Sequence, residues 1–132
     1  MKKFIIFLVL AVFGFGLALN AQSGTSSIDK VIKFSKESYD IGKIKFKEKT
    51  TFFMEFTNIS NKPVVIENVM VGCGCTVAEK PTTPVLPGKT AKIKVGYDGT
   101  GAPGSRFNKD VTVKVAGVAD PKTVSFSGLI NE

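Results

Sequence analysis

The 132-residue chain has no histidine and no tryptophan, and only two cysteines and two tyrosines. Without histidine there is no Ser-His-Asp or Cys-His nucleophilic site, and most zinc chemistry loses its usual nitrogen ligand. The acidic residues are scattered, and no motif sets two of them side by side as an acid/base pair. Asp98-Gly99 and Asp110 lack the ligand spacing of a calcium loop and fit turn chemistry instead. These absences point away from an enzyme, and they imply neither a cofactor nor a resident metal.

Long apolar runs are also missing, with one exception at the start. Met1-Lys2-Lys3 gives a short positive head, Phe4 to Leu19 is almost wholly apolar or glycine, and small residues precede Gln22. That order describes a secretory signal peptide over residues 1–21, too short and too glycine-broken to be a retained span. No cysteine stands at the exit, so the product is expected to be exported, periplasmic or extracellular, without a lipid anchor. Cleavage would leave 16 basic against 11 acidic residues, a net charge of +5. Attraction to an anionic envelope polymer is allowed by that charge, but not demanded. Export makes nucleic acid an unsuitable partner.

What remains is organised by a period of two. Residues 22–30 begin with small polar side chains (QSGTSS) and read as a flexible leader to a domain over 31–132. In that domain Phe52, Met54 and Phe56 share one face of an extended segment, as do Ala91, Ile93, Val95 and Tyr97. Val111, Val113 and Val115 repeat the pattern, and so do Val124 and Phe126. Pro63 to Val71 is more continuously apolar and predicts a more deeply buried strand. Turn signals separate the runs at Asn58–Pro63, Pro84–Gly88, Asp98–Gly104 and Gly117–Pro121. Each strand has one apolar face, which a second sheet must cover. The expectation is an all-β, immunoglobulin-like two-sheet antiparallel sandwich of about seven strands. The buried tryptophan and widely spaced cysteine pair of antibody domains are absent.

Several local motifs stand in a familiar order: Tyr39-Asp40-Ile41-Gly42, Phe56-Thr57-Asn58-Ile59-Ser60, Gly72-Cys73-Gly74-Cys75-Thr76, Leu86-Pro87-Gly88-Lys89 and Phe107-Asn108-Lys109-Asp110-Val111. The series resembles the exported bacterial family known as domain of unknown function 1573, from about Ile32 to the C-terminus. The resemblance implies an immunoglobulin-type fold of the Hydin-like and major-sperm-protein-like kind. Gly72 departs from it, standing where the family commonly has serine. The family brings no settled biochemical function.

Two features could carry function. Cys73 and Cys75 would share a face in a strand, too far apart there for a disulfide; a turn at Gly74 would bring them together. Three functional readings fit the pair: a redox couple, a two-thiolate site for a soft cation such as Cu(I), or the clasp of a static loop. The plain alternative is two small apolar residues at a strand end. Lys43, Lys45, Lys47 and Lys49 would form a basic strip along one extended face, with Ile44 and Phe46 opposite. That strip reads as protection of an edge strand, or as a dock for an anionic surface. Asn58-Ile59-Ser60 matches a glycosylation sequon and is read as a turn. The preferred function is a non-enzymatic envelope module that binds a protein partner or surface polymer. The alternative is a thiol-based metal-binding or redox protein using Cys73 and Cys75.

Overall fold

The computed structural model describes residues 27–132, so the signal-peptide segment and most of the leader lie outside the described residues. Among the described residues, eight strands follow a 3-10 turn at Ile28–Lys30: β1 (Ile32–Phe34), β2 (Ser38–Lys45), β3 (Thr50–Asn58), β4 (Ile66–Val71), β5 (Thr76–Glu79), β6 (Thr90–Tyr97), β7 (Arg106–Val115) and β8 (Lys122–Asn131). They form two four-stranded sheets, ordered β1-β3-β6-β5 and β2-β8-β7-β4. The sandwich is as expected from the alternation, with one strand more than the expected seven. β1 has three residues and β5 has four, too few for a period of two to show in the sequence. Among the described residues, no helix is long and apolar enough to cross a membrane.

The alternating residues form the core. Met54, Phe56, Ile93, Val95, Val111, Val113, Val124 and Phe126 are all fully buried. An aromatic layer joins the two sheets: the Phe126 ring lies 5.1 Å from Phe52, 5.8 Å from Tyr97 and 6.1 Å from Phe107. Tyr97 stacks on Phe107 at 4.6 Å, and its hydroxyl donates to the Thr100 carbonyl. Burial raises the Tyr97 pKa, and the charge of Asp98 adds to the rise.

Three expectations need correcting. One pair is parallel: β2 runs alongside β8, with a bulge between Asp40 and Lys43. A pairing between strands so far apart in sequence leaves no local signature. Second, β4 is not deeply buried. It is an edge strand with a register shift between Ile66 and Asn68, and Val65 and Met70 are exposed. An apolar run reports composition, not whether a neighbouring strand covers it. Third, the packed domain begins before residue 31. Ile28 is buried in the core. Lys122 Nζ reaches Asp29 at 2.8 Å and Glu37 at 2.6 Å, tying the 3-10 turn and the β1–β2 link to β8. Those two hydrogen bonds raise the Lys122 pKa.

The loop after β6 is locked to the turn after β2. Lys47 donates its N–H to the Gly99 carbonyl at 3.1 Å, and Gly99 has φ +73°. A Cβ on Gly99 would stand 2.8 Å from the Glu48 carbonyl oxygen and 2.9 Å from the Glu48 nitrogen. Both neighbours are backbone, so little can give way. Gly99→Ala is therefore expected to cost about 2–4 kcal/mol, combining left-handed strain with overpacking. Urea unfolding measures it; a change below about 0.5 kcal/mol would mean the two turns are not in contact.

Candidate functional site

The edge strands β4 and β5 lie in different sheets, and the chain crosses between them in four residues, Gly72-Cys73-Gly74-Cys75. This crossing is a turn, closed by the Thr76 N–H donating to the Cys73 carbonyl at 3.3 Å. It contracts the chain enough to join Cys73 and Cys75 in a disulfide, with their Cα atoms 5.2 Å apart. That separation is ordinary for a disulfide, whereas residues two apart in a strand would be about 6.6 Å apart. The turn anticipated at Gly74 is present, but Gly74 does not take a left-handed conformation. In this oxidised state neither sulfur is a thiolate free to hold a metal.

Both cysteines are half-exposed. Thr76 is only 4% exposed, and its hydroxyl oxygen lies 3.8 Å from the Cys73 sulfur and 3.7 Å from the Cys75 sulfur. Thr76 is the residue that sequence reasoning missed here. A threonine after a cysteine has no special signal, and only the turn brings its side chain back over both sulfurs. Cys75 is fixed from the far side, where its carbonyl accepts the Asp98 N–H at 3.0 Å. Asp98 itself is held below the usual carboxylate range, first by the Thr100 hydroxyl and also by the Thr100 N–H and Lys49.

Beside the disulfide runs a groove of about 330 Å³ on the outer surface of the first sheet, bordered by Lys49, Thr51, Cys75, Val77 and Asp98. Its floor is Gly96, which stands in register between Thr51 and Val77. A Cβ on Gly96 would meet only the Val77 carbonyl, at 3.9 Å. Glycine here therefore leaves a trough in the sheet surface. Val77 is 63% exposed at its rim, and Phe53, 53% exposed, lies one row along the same face. A larger hollow of about 700 Å³ is lined by turn residues with Lys30, Lys62 and Ile59, and it holds no pair of reactive side chains.

The four lysines do not form one strip. Lys43 and Lys45 lie on β2, an edge of the second sheet. Lys47 sits in the following turn with φ +57°, and Lys49 borders the groove on the first sheet. The left-handed residue ends the extended run, so the period of two cannot continue through it. Phe46, expected opposite the lysines, is 40% exposed with the Lys47 ammonium 5.1 Å from its ring centre.

Asn58 is fully buried at the end of β3. Its Nδ2 donates to the carbonyls of Lys62 (2.7 Å) and Val85 (2.8 Å), while its Oδ1 accepts the Ser60 N–H (2.9 Å) and hydroxyl (2.7 Å). Turn chemistry, not glycosylation, explains this sequon, because the amide is engaged on every side.

The family described as "Protein of unknown function (DUF1573)" matches residues 32–130. No curated protein sequence matches the chain significantly. Among solved structures, a protein of unknown function from Porphyromonas gingivalis W83 is 16% identical with a TM-score of 0.62, over 75% of this chain and 46% of that one. The E. coli chaperone DraB is 8% identical with a TM-score of 0.60, over 75% of this chain and 55% of that one. A PapD-like domain of human CEP192 is 10% identical with a TM-score of 0.58, over 78% of this chain and 87% of that one. This chain thus spans about half the length of the first two proteins. At such identities the likeness establishes the fold alone.

Proposed function

The chain belongs to the DUF1573 family, and we propose that it is an exported, non-enzymatic envelope module that binds a protein partner by strand addition at β5. The observation that carries this is the state of the β5 edge. Asp98 N–H bonding to the Cys75 carbonyl sets the ladder: Cys75, Val77 and Glu79 turn their backbone groups toward β6. Ala78 must then turn its N–H and carbonyl outward, where no further strand lies among the described residues. Unpaired groups of this kind accept an extended segment, and an adjacent hollow selects its side chains. The trough over Gly96 supplies the hollow, with Val77 and Phe53 as apolar contacts.

The other edges are less receptive. β1, with three residues, has no glycine trough in its neighbour β3, β2 carries Lys43 and Lys45 beside a bulge, and on β4 the Glu67 carbonyl is capped by Lys80 Nζ at 2.6 Å. Likeness in fold to a chaperone supports engagement with a protein. Binding to an anionic polymer would use the lysine strip, which is divided between two sheets. Export rests on the signal-peptide pattern of residues 1–21.

The test is selection of linear peptides from a displayed random library, followed by amide hydrogen exchange. Selected peptides are expected to alternate apolar and polar residues and to protect the Ala78 amide. Ala78→Pro removes that donor without touching the ladder to β6, and is expected to weaken binding at least tenfold. Peptides that bind equally well to Ala78→Pro, or that leave the Ala78 amide unprotected, would overturn the proposal.

A further inference from the structure

We infer that the Cys73–Cys75 disulfide is a thiol–disulfide exchange site that takes two electrons from a dithiol. The inference is independent of strand addition at β5. Approach to the sulfurs is open. Both cysteines are half-exposed, their neighbours Gly72 and Gly74 carry no side chain, and a Cβ at either glycine would meet nothing within 4 Å. A purely structural bridge has little to do here, since closing so small a loop barely constrains the unfolded chain. The decisive feature is Thr76. Its hydroxyl is buried within 3.8 Å of one sulfur and 3.7 Å of the other, so a rotation can direct its proton to whichever sulfur becomes the thiolate.

The chemistry balances without a further reagent. A substrate thiolate attacks one sulfur, the Cys73–Cys75 bond breaks, and its electron pair leaves on the other sulfur, which Thr76 stabilises until a proton arrives. The second substrate thiolate then attacks the mixed disulfide and releases the second protein thiol. The dithiol has become a disulfide, and the protein holds two thiols, having gained two electrons and two protons.

Oxidised protein is incubated separately with dithiothreitol and with reduced glutathione, quenched by alkylation and weighed by mass spectrometry. The control is an oxidised peptide of residues 70–78, which has the same ring but no tertiary structure. The protein is expected to react at least tenfold faster than the peptide. Thr76→Val, similar in volume but without the hydroxyl, is expected to lose at least fivefold of that rate, and Thr76→Ser to restore it. A protein rate equal to or below the peptide rate overturns the inference, as does a folded Thr76→Val that exchanges at the original rate. Should Thr76→Val not fold, the comparison of protein with peptide decides alone. Reaction with dithiothreitol but not glutathione identifies a dithiol as the substrate class; reaction with both at equal rate per thiol would overturn that assignment. Exchange is read by mass and strand addition by protection of the Ala78 amide, so the two proposals fail separately.

Discussion

Asn58→Asp is expected to destabilise the folded domain by about 3–5 kcal/mol at pH 7, the range for an uncompensated buried charge. The substitution is nearly isosteric, so packing is not the cause. In the native site the Asn58 Nδ2 group donates to two carbonyls, those of Lys62 and Val85. A carboxylate would turn an acceptor toward both of them, in a fully buried site. The main chain raises the stakes, because Asn58 N–H donates to the Lys89 carbonyl and the Asn58 carbonyl accepts from Gly88. One residue thus ties the end of β3 to the 60–62 turn, to Val85 and to the Leu86–Lys89 turn. The loss should depend on pH. Burial and facing carbonyls disfavour the ionised form, so the introduced carboxyl has a folded-state pKa raised above its unfolded value of about 4. The folded state then binds more protons. The variant's stability relative to the original is greatest below pH ~4 and falls as pH rises through the folded pKa. Protonation rescues only part of the loss, since one O–H replaces two N–H donors. Urea unfolding of both proteins from pH 3 to 8 checks this. A difference that stays constant across that range would show that the site admits water.

Phe126→Ala is expected to cost about 3–5 kcal/mol, the usual range for removing a buried phenylalanine. Phe126 has no exposed surface, and it is the ring on which Phe52, Tyr97 and Phe107 converge from both sheets. Neither sheet can close over the void without breaking its ladder. In a domain near 100 residues each kcal/mol moves Tm by about 4–8 °C, so a fall of at least about 12 °C is expected in calorimetry. Phe126→Leu keeps most of the volume and should cost well under half as much. Equal losses for leucine and alanine would mean that the aromatic layer does not join the sheets.

Much of the architecture was legible in the chain. The buried faces of β3, β6, β7 and β8 are those that a period of two assigns, because side chains of a strand alternate whatever the strand pairs with. The candidate site was legible only as an inventory of residues. Cys73 and Cys75 were visible, but their joining depends on a turn that crosses between sheets, and Thr76 acquires its place over both sulfurs only from that turn. The lysine spacing suggested one strip, and a single left-handed residue at Lys47 divides it. Asn58 illustrates the reverse case: the sequence signalled a turn, but not that four side-chain hydrogen bonds would bury it.

Local geometry, then, settled which residues face inward and that two layers must hide them, since alternation is a property of each segment alone. Tertiary structure decided what is paired with what: the parallel match of β2 with β8, the exposure of β4, and the open β5 edge beside a disulfide. Those outcomes depend on contacts between residues distant along the chain, and no short stretch of sequence encodes its partner.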